Sequence, residues 1–418
     1  MESWWKTWPE LRSAVKGKKI VLYGRAEDWI PKTIAQLPQK PAYIVDRNSG
    51  FAGSEYLGMP VVSPEQLQQE KIDDLFVIIT SGSYPSIFPV LEGYGFEAGR
   101  HFCCTPVYRD FYRLEAIRDY KQEIIVASSD YKDPQQKRHS RMGGGIFRLI
   151  VGAQHSFERL VPGHFRQMTM VNDKIYAIEY VEMKLYVFDK NFSVIEKFSL
   201  DRPNYCGLAY DSKRNVIVLV NSGSDTIAFH DPGNFKTVDK IYYSRKASGD
   251  EAGQHHLNDA CIDGDNLYVS YFSHSGNWKR EVYDGGISEF NLNDLASGPV
   301  QVVRDLWMPH SPKIIEGNLT YCESMTGKLY LNSQAPVAQF QGFLRGLAFD
   351  GRYYFLGLSE NMYAARLYGL VDTLMMNAGV YLFDKESRCS RFYPMLDNMN
   401  VHDLMIIEAE SGSGNVAA

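Results

Sequence analysis

Two regimes of hydrophobic spacing divide the chain. Up to about residue 108, short continuous apolar runs alternate with stretches of helical spacing. The runs 18–23, 42–45 and 75–79 read as buried strands, and Met59-Pro-Val-Val62 as a further short one. Helical spacing covers 29–37 and the segment after Thr80-Ser-Gly-Ser-Tyr-Pro85, and Ser63-Pro-Glu-Gln66 starts a helix with Pro in its first turn. Strands alternating with helices predict a small parallel α/β sheet. Residues 108–117 read as a connecting helix. Beyond about residue 120 the helical period disappears, and short apolar strands are punctuated by Gly, Asn, Asp and Pro.

That second region contains a repeat that is degenerate in sequence and steady in form. Each unit opens on a polar residue, runs into an apolar strand, turns, and continues as a second apolar strand; 204–220 and 344–358 are the clearest cases. Aligning the openings gives Arg166, Cys206, Asn258, His310, Arg345 and His402, at separations of 40, 52, 52, 35 and 57 residues. A four-stranded propeller blade needs roughly 40–50. The last strand, 400–407, has no partners after it, and the strands at 123–127, 145–150 and 156–160 have no innermost strand before them. Joining the two ends completes a sixth blade and removes an open edge. The expectation is a mainly β chain, a six-bladed β-propeller closed by its C-terminal strand. The boundaries are 1–108, a linker helix 109–121, the propeller 122–410 and a flexible tail 411–418.

Innermost strands begin on one face and second strands return to it, so that mouth collects both sets of residues. The openings supply Arg166, His256, Asn258, His310, Arg345 and His402; the returns supply Glu179, Asn221, His274, Glu323 and Glu360-Asn361, with Asp130 as the sixth counterpart. His256, Asn258, His310 and His402 form a candidate ligand set for a divalent metal (Zn, Mn or Fe), because imidazoles with an amide suit those ions; the alternative is hydrogen bonding around a water-filled channel. Gluconolactonase-like propellers hold an axial metal comparably, a fold-level analogy. Arg166 and Arg345 are candidates for gripping a carboxylate, phosphate or sulfate, or for ion pairs with Glu179 and Glu323. Catalytic roles fall to His256, His310, His402 and Glu323, the last as general base. Substrate binding falls to Arg166, Asn258, Arg345, Asn221, His274, Glu179 and the loop aromatic Trp278; Tyr363 is a second loop aromatic. Strand alternation turns Asp259 and Asp403 into the blade interface, where they brace neighbouring strands or, as the alternative, orient a histidine.

Composition narrows the classes. The 44% hydrophobic content, 22% charged content and 27 tyrosines describe a β-rich globular chain. A net charge of −6 without a basic stripe argues against nucleic acid. The apolar runs have strand length, so no membrane span is expected. Six cysteines without metal or disulfide spacing, and no secretory signal, point to the cytoplasm. A homo-oligomer is left open.

Three motifs, His255-His-Leu-Asn-Asp259, Met308-Pro-His-Ser-Pro312 and Arg345-Gly-Leu-Ala-Phe349, occur in order with Gly276-Asn-Trp278 and Gly357-Leu-Ser359. Together they resemble an uncharacterised bacterial conserved-hypothetical propeller family over about 120–410, which implies a fold and no reaction. The strand order before residue 108, with Gly58-Met-Pro-Val-Val-Ser-Pro-Glu65, resembles the N-terminal Rossmann-like domain of bacterial sugar acetyltransferases, which binds sugar nucleotides. On that resemblance Gly24, Asp46, Ser81 and Gly82, at the carboxyl ends of the strands, are candidates for a nucleotide or sugar nucleotide, the alternative being a purely structural or docking domain. The glycine fingerprint is incomplete, since Ala26 replaces its second glycine.

The functional expectation is an enzyme acting on a sugar, sugar nucleotide or other small polar metabolite by acid–base chemistry of the lyase, epimerase or hydrolase kind. The rival is a non-catalytic glycan- or protein-binding scaffold with a nucleotide-sensing first domain.

Overall fold

A computed structural model describes residues 4–130, 143–244, 253–332, 335–361, 363–371 and 373–407. The expected tail, 411–418, lies outside the described residues. The chain divides into two units, Met1–Ala116 and Ile117–Ala418, and the division falls inside the helix Arg109–Asp119.

In the first unit, Met59–Val62, Tyr43–Val45, Lys19–Tyr23, Leu75–Ile79 and Phe102–Cys104 lie side by side in parallel, with Glu55–Tyr56 antiparallel at one edge. Both faces are covered. Val21, Tyr23, Val77 and Ile79 pack on one side, while Ile20, Leu22, Phe76 and Ile78 pack on the other. Burial on both faces explains why these strands read as unbroken apolar runs. The expected helix at 29–37 is shorter, Trp29–Ile34, and the segment after Ser63 is a 3-10 turn, Pro64–Gln69. Phe102–Cys104 was not expected as a strand.

The described residues of the second unit form six four-stranded antiparallel sheets, the blades of a β-propeller. The innermost strands of blades 1 to 5 are Phe165–Val171, Tyr205–Asp211, Leu257–Asp263, Pro309–Ile315 and Phe343–Phe349. In blade 6, Asp403–Met405 pairs antiparallel with Gln122–Ser128, followed by Gly145–Val151 and Ser156–Pro162. Alternation sends successive side chains of a strand into different neighbours. In Lys174–Glu179, Ile175 and Ala177 pack with Ile125 and Ala127 of blade 6, whereas Tyr176 and Ile178 pack with Leu208 and Leu219 of blade 2. Comparable apolar clusters join blades 2 and 3, 3 and 4, 4 and 5, and 5 and 6.

Near the axis the innermost strands of blades 1 to 5 each carry a register shift just past the opening residue. A bulge turns a backbone N–H out of its own ladder, and here neighbouring strands accept those groups. Asp403 accepts from Met168 N at 2.9 Å, Gln167 from Leu208 N at 2.8 Å and Ala260 N at 3.2 Å, and Asp259 from Ser311 N at 2.8 Å. The Ser311 hydroxyl accepts from Gly346 N at 2.8 Å. Asp259 and Asp403 therefore brace blades together. Two equivalent positions are glycines because the backbones approach closely. A Cβ on Gly207 would lie 2.3 Å from the Asn258 carbonyl oxygen, and one on Gly346 would lie 3.0 Å from the Asp403 backbone.

Candidate functional site

Directly above this ring of braces, the opening residues meet at the axis. Arg166 reaches His402 with its guanidinium at 3.1 Å, and Arg345 reaches the same imidazole at 3.0 Å. Tyr180 lies under the Arg166 guanidinium at 4.2 Å from the ring centroid, and Phe343 under Arg345 at 4.6 Å. Asn258 donates through its amide nitrogen to Nε2 of His310 at 2.9 Å. His310 Nδ1 lies 2.7 Å from the Ser324 hydroxyl and 3.1 Å from the Met308 carbonyl. The Ser324 hydroxyl donates to the Leu344 carbonyl, so both groups facing Nδ1 accept. That assigns the Nδ1–H tautomer and leaves the Nε2 lone pair toward Asn258 and the axis.

His256, held at φ +55°, sits against Phe272 and Trp278, with ring centroids 4.4 and 4.3 Å away. Trp278 is fixed by a 3.2 Å bond from its indole N–H to the Gly253 carbonyl. Phe272, Phe343, Met308 and Met325 form an apolar cluster with Trp278 and Tyr363 around the histidines.

The electrostatics are one-sided. Arg345 is only 8% exposed, and neither Arg345 nor Arg166 has a carboxylate partner among the described residues. The Nε atoms of both arginines and Nδ1 of His256 are buried without a hydrogen-bond partner among the described residues. Burial, then Arg166, pulls Arg345 down to about 10. Desolvation, then Arg166 and Arg345, pulls His256 down to about 3. His310 and His402 are held well below the ordinary imidazole value, first by burial and next by Arg345 and Arg166 respectively. The site is thus two guanidinium cations among three neutral imidazoles. Cys206, also at the axis, has its thiol pushed up by burial against the pull of Arg166, and contacts Ser222 Oγ at 3.4 Å.

The expected return residues are used elsewhere. Glu179 accepts from the backbone N–H groups of His164 and Glu182, and Asn221 accepts from Gly223 N and Ser224 N while donating to the Pro203 carbonyl. Glu323, expected as a base beside His310, instead accepts from Thr326 and Tyr330 and pairs with Lys328. The anticipated ion pairs of Glu179 and Glu323 with the arginines do not form. Asp130 accepts from Met399 N. His274 is exposed, its backbone N–H bonded to the Asp284 carbonyl. Side chains just past a strand end are well placed to cap their own turn. Ser324, one residue beyond the expected position and not anticipated, is the one that reaches His310.

Among the described residues, no group of three or more His, Cys, Asp and Glu side chains is arranged to hold a metal. The anticipated metal set does not fit one: each guanidinium lies within 3.4 Å of both ring nitrogens of His402, and His310 Nε2 already faces an amide N–H. In the first unit, Asp46 accepts from Arg25 N at 2.9 Å and Asn48 N at 2.8 Å, holding its own loop. Gly24, at φ +98°, makes room for Ser81, whose Cβ lies 2.3 Å from where a Gly24 Cβ would be, and Gly82 faces Trp29.

An unfolded chain takes up protons at its histidines near pH 6.5, which this site refuses. The contribution is neutral above about pH 6.5, and stability falls as pH drops from there toward the native values. Asp259 opposes this. It is pushed up to about 6 by burial and, against the bond from Ser311, by Asp403, so it favours the native state toward acid. Three groups outweigh one. The urea midpoint is expected to fall from pH 7.5 to 5.0, and to fall less in Arg345→Met, which removes part of the field. Equal pH dependence in the two proteins would contradict the account.

Residues 136–387 match the model of the family described as Domain of unknown function (DUF4915), more than half of the chain. The chain belongs to the DUF4915 family. No curated protein matches it. Solved structures with a similar arrangement include a chain of a nidogen/laminin complex, at 11% identity over 68% of this chain and 97% of that one, TM-score 0.47. A protein of unknown function from Bacteroides caccae gives 10%, 68%, 98% and 0.45 by the same measures. The calcium-binding protein regucalcin from Agrobacterium tumefaciens str. C58 gives 11%, 55%, 74% and 0.39. These likenesses bear no functional argument for this DUF4915 chain. Among the described residues no helix is long and apolar enough to cross a membrane.

Proposed function

We propose that the propeller is an enzyme of small polar metabolites whose mouth binds an anionic group between Arg166 and Arg345, with His310 as its acid–base residue. The observation that carries this reading is the pair of inward guanidinium groups sharing His402 with no acidic partner among the described residues. An anion supplies the missing charge, and a carboxylate, phosphate or sulfate matches the planar donors. His310 suits proton transfer because its tautomer is fixed and its Nε2 lone pair turns toward the axis, where a ligand proton would displace the Asn258 amide that donates to it at 2.9 Å; a bound anion offsets the arginine field and raises its basicity. Trp278 and Tyr363 form a wall for the rest of the ligand. In support of a Rossmann-like first unit stands its run of parallel strands, and in support of closure of the ring by the C-terminal strand stands the pairing of Asp403 with Ala127.

The test is a thermal-shift series at constant ionic strength. Acetate, phosphate and sulfate are expected to give saturable stabilisation, abolished in Arg166→Met. Stabilisation that follows ionic strength regardless of the anion, or that survives in the variant, overturns the reading.

A further inference from the structure

Buried polar atoms are satisfied in the great majority of cases, and a buried donor or acceptor left without a partner is destabilising. Among the described residues of the propeller, unpartnered buried atoms occur on outer strands at His230 and Tyr393, and more of them lie at the mouth. Beside those of Arg166, Arg345 and His256 stand the hydroxyls of Ser128 and Ser129 and both polar atoms of the Asn398 amide. These three residues are deeply buried, at 0%, 2% and 4% exposure. Hydrogen bonds of the neighbouring residues bring their two segments together on the blade 6 side of the mouth. His402 N donates to the Ala127 carbonyl at 2.8 Å, which puts Ser128 beside the strand opening that carries His402. Met399 N donates to Asp130 at 2.6 Å, tying the Asn398 segment to the residues that follow Ser129. The Met399 carbonyl accepts from Glu360 N at 2.9 Å, and the Ser359 hydroxyl donates to the Val401 carbonyl at 2.9 Å, so blade 5 fixes the same segment.

The chemistry of this corner differs from that of the axis. The two arginine Nε atoms only donate, which calls for an anion. An amide and two hydroxyls donate and accept together. A carboxylate or phosphate oxygen cannot use the acceptor half, and a cation cannot use the donor half. A hydroxyl uses both.

We infer that Ser128, Ser129 and Asn398 form a hydroxyl-binding subsite next to the arginine pair, so that the ligand is a polyhydroxylated acid. Its anionic end lies between Arg166 and Arg345, and its hydroxyl-bearing end lies at blade 6. The inference rests on the anion reading proposed above and narrows it.

Isothermal titration with charge-matched pairs separates the two. Gluconate and glucuronate carry hydroxyls; hexanoate and cyclohexanecarboxylate carry the same charge without them. At least one hydroxylated acid is expected to bind about tenfold or more tightly than its counterpart, the worth of one or two hydrogen bonds. Asn398→Leu is expected to remove that preference while leaving the affinity of the plain acids within about twofold; Ser129→Ala serves the same purpose if the leucine variant does not fold. Equal binding of both kinds of acid by the wild type, as when the corner holds only water, overturns the subsite. So does an equal loss for both kinds in Asn398→Leu. Binding of none of the four acids, nor of sulfate, overturns the anion reading itself.

Discussion

Arg345→Met is expected to raise the melting temperature of the ligand-free protein while destroying its affinity for anions. The Arg345 guanidinium is buried, stacks on Phe343 at 4.6 Å, shares His402 with a second cation and has no acidic partner among the described residues. Methionine keeps much of the packing volume and removes the desolvated charge. Replacing buried ions with apolar side chains of similar size is often stabilising by about 1–4 kcal/mol. We expect a gain toward the lower end of that range, because His402 loses a donor. The same change removes half of the anion clamp, and losing one partner of a buried charge pair costs roughly 2–5 kcal/mol of binding, at least about a thirtyfold loss. Calorimetry with and without sulfate measures both. A variant that melts lower than the wild type and still binds sulfate would sink the idea that this charge is kept for a ligand.

Asp403→Ala is expected to cost the most stability of any single change in the ring of braces. The carboxylate accepts from Met168 N in blade 1 and from Leu404 N, both at 2.9 Å, and lies 3.5 Å from the Lys313 ammonium. Truncation takes this acceptor from Met168 N at the seam between blades 6 and 1 and from Leu404 N, and leaves the Lys313 ammonium of blade 4 with only the Leu404 carbonyl at 3.1 Å. A loss of roughly 3–5 kcal/mol follows from breaking a buried pair by deleting one side. Asp403→Asn retains an acceptor and is expected to lose less than half as much. Urea unfolding measures the difference; equal losses in the two variants would mean that the hydrogen bonds to the carboxylate contribute little.

The register of the blades was legible in the sequence because a polar opening before an alternating apolar strand marks the same structural point each time. Arg166, Cys206, Asn258, His310, Arg345 and His402 accordingly converge on one ring. Their uneven spacing comes from mouth loops, which register cannot show: residues 360–378 lengthen the interval from Arg345 to His402. The partners were less legible. Counting histidines suggests a metal, and only the folded ring shows that Arg166 and Arg345 flank His402. Glu179, Asn221 and Glu323 have the right position and the wrong direction, since each turns to its own loop or blade. Ser324 carries no signal beyond being small and polar, and Asn398 lies in a segment with no strand pattern. In the first unit, the left-handed backbone of Gly24 makes room for Ser81, a close approach that the glycine fingerprint alone does not show.

The most direct test of the central claim is an anomalous difference map from crystals soaked in selenate. The account predicts a peak at the propeller axis within hydrogen-bond distance of Nε of both Arg166 and Arg345, lost in Arg345→Met. A map with selenate at surface sites and none between these two arginines would contradict it.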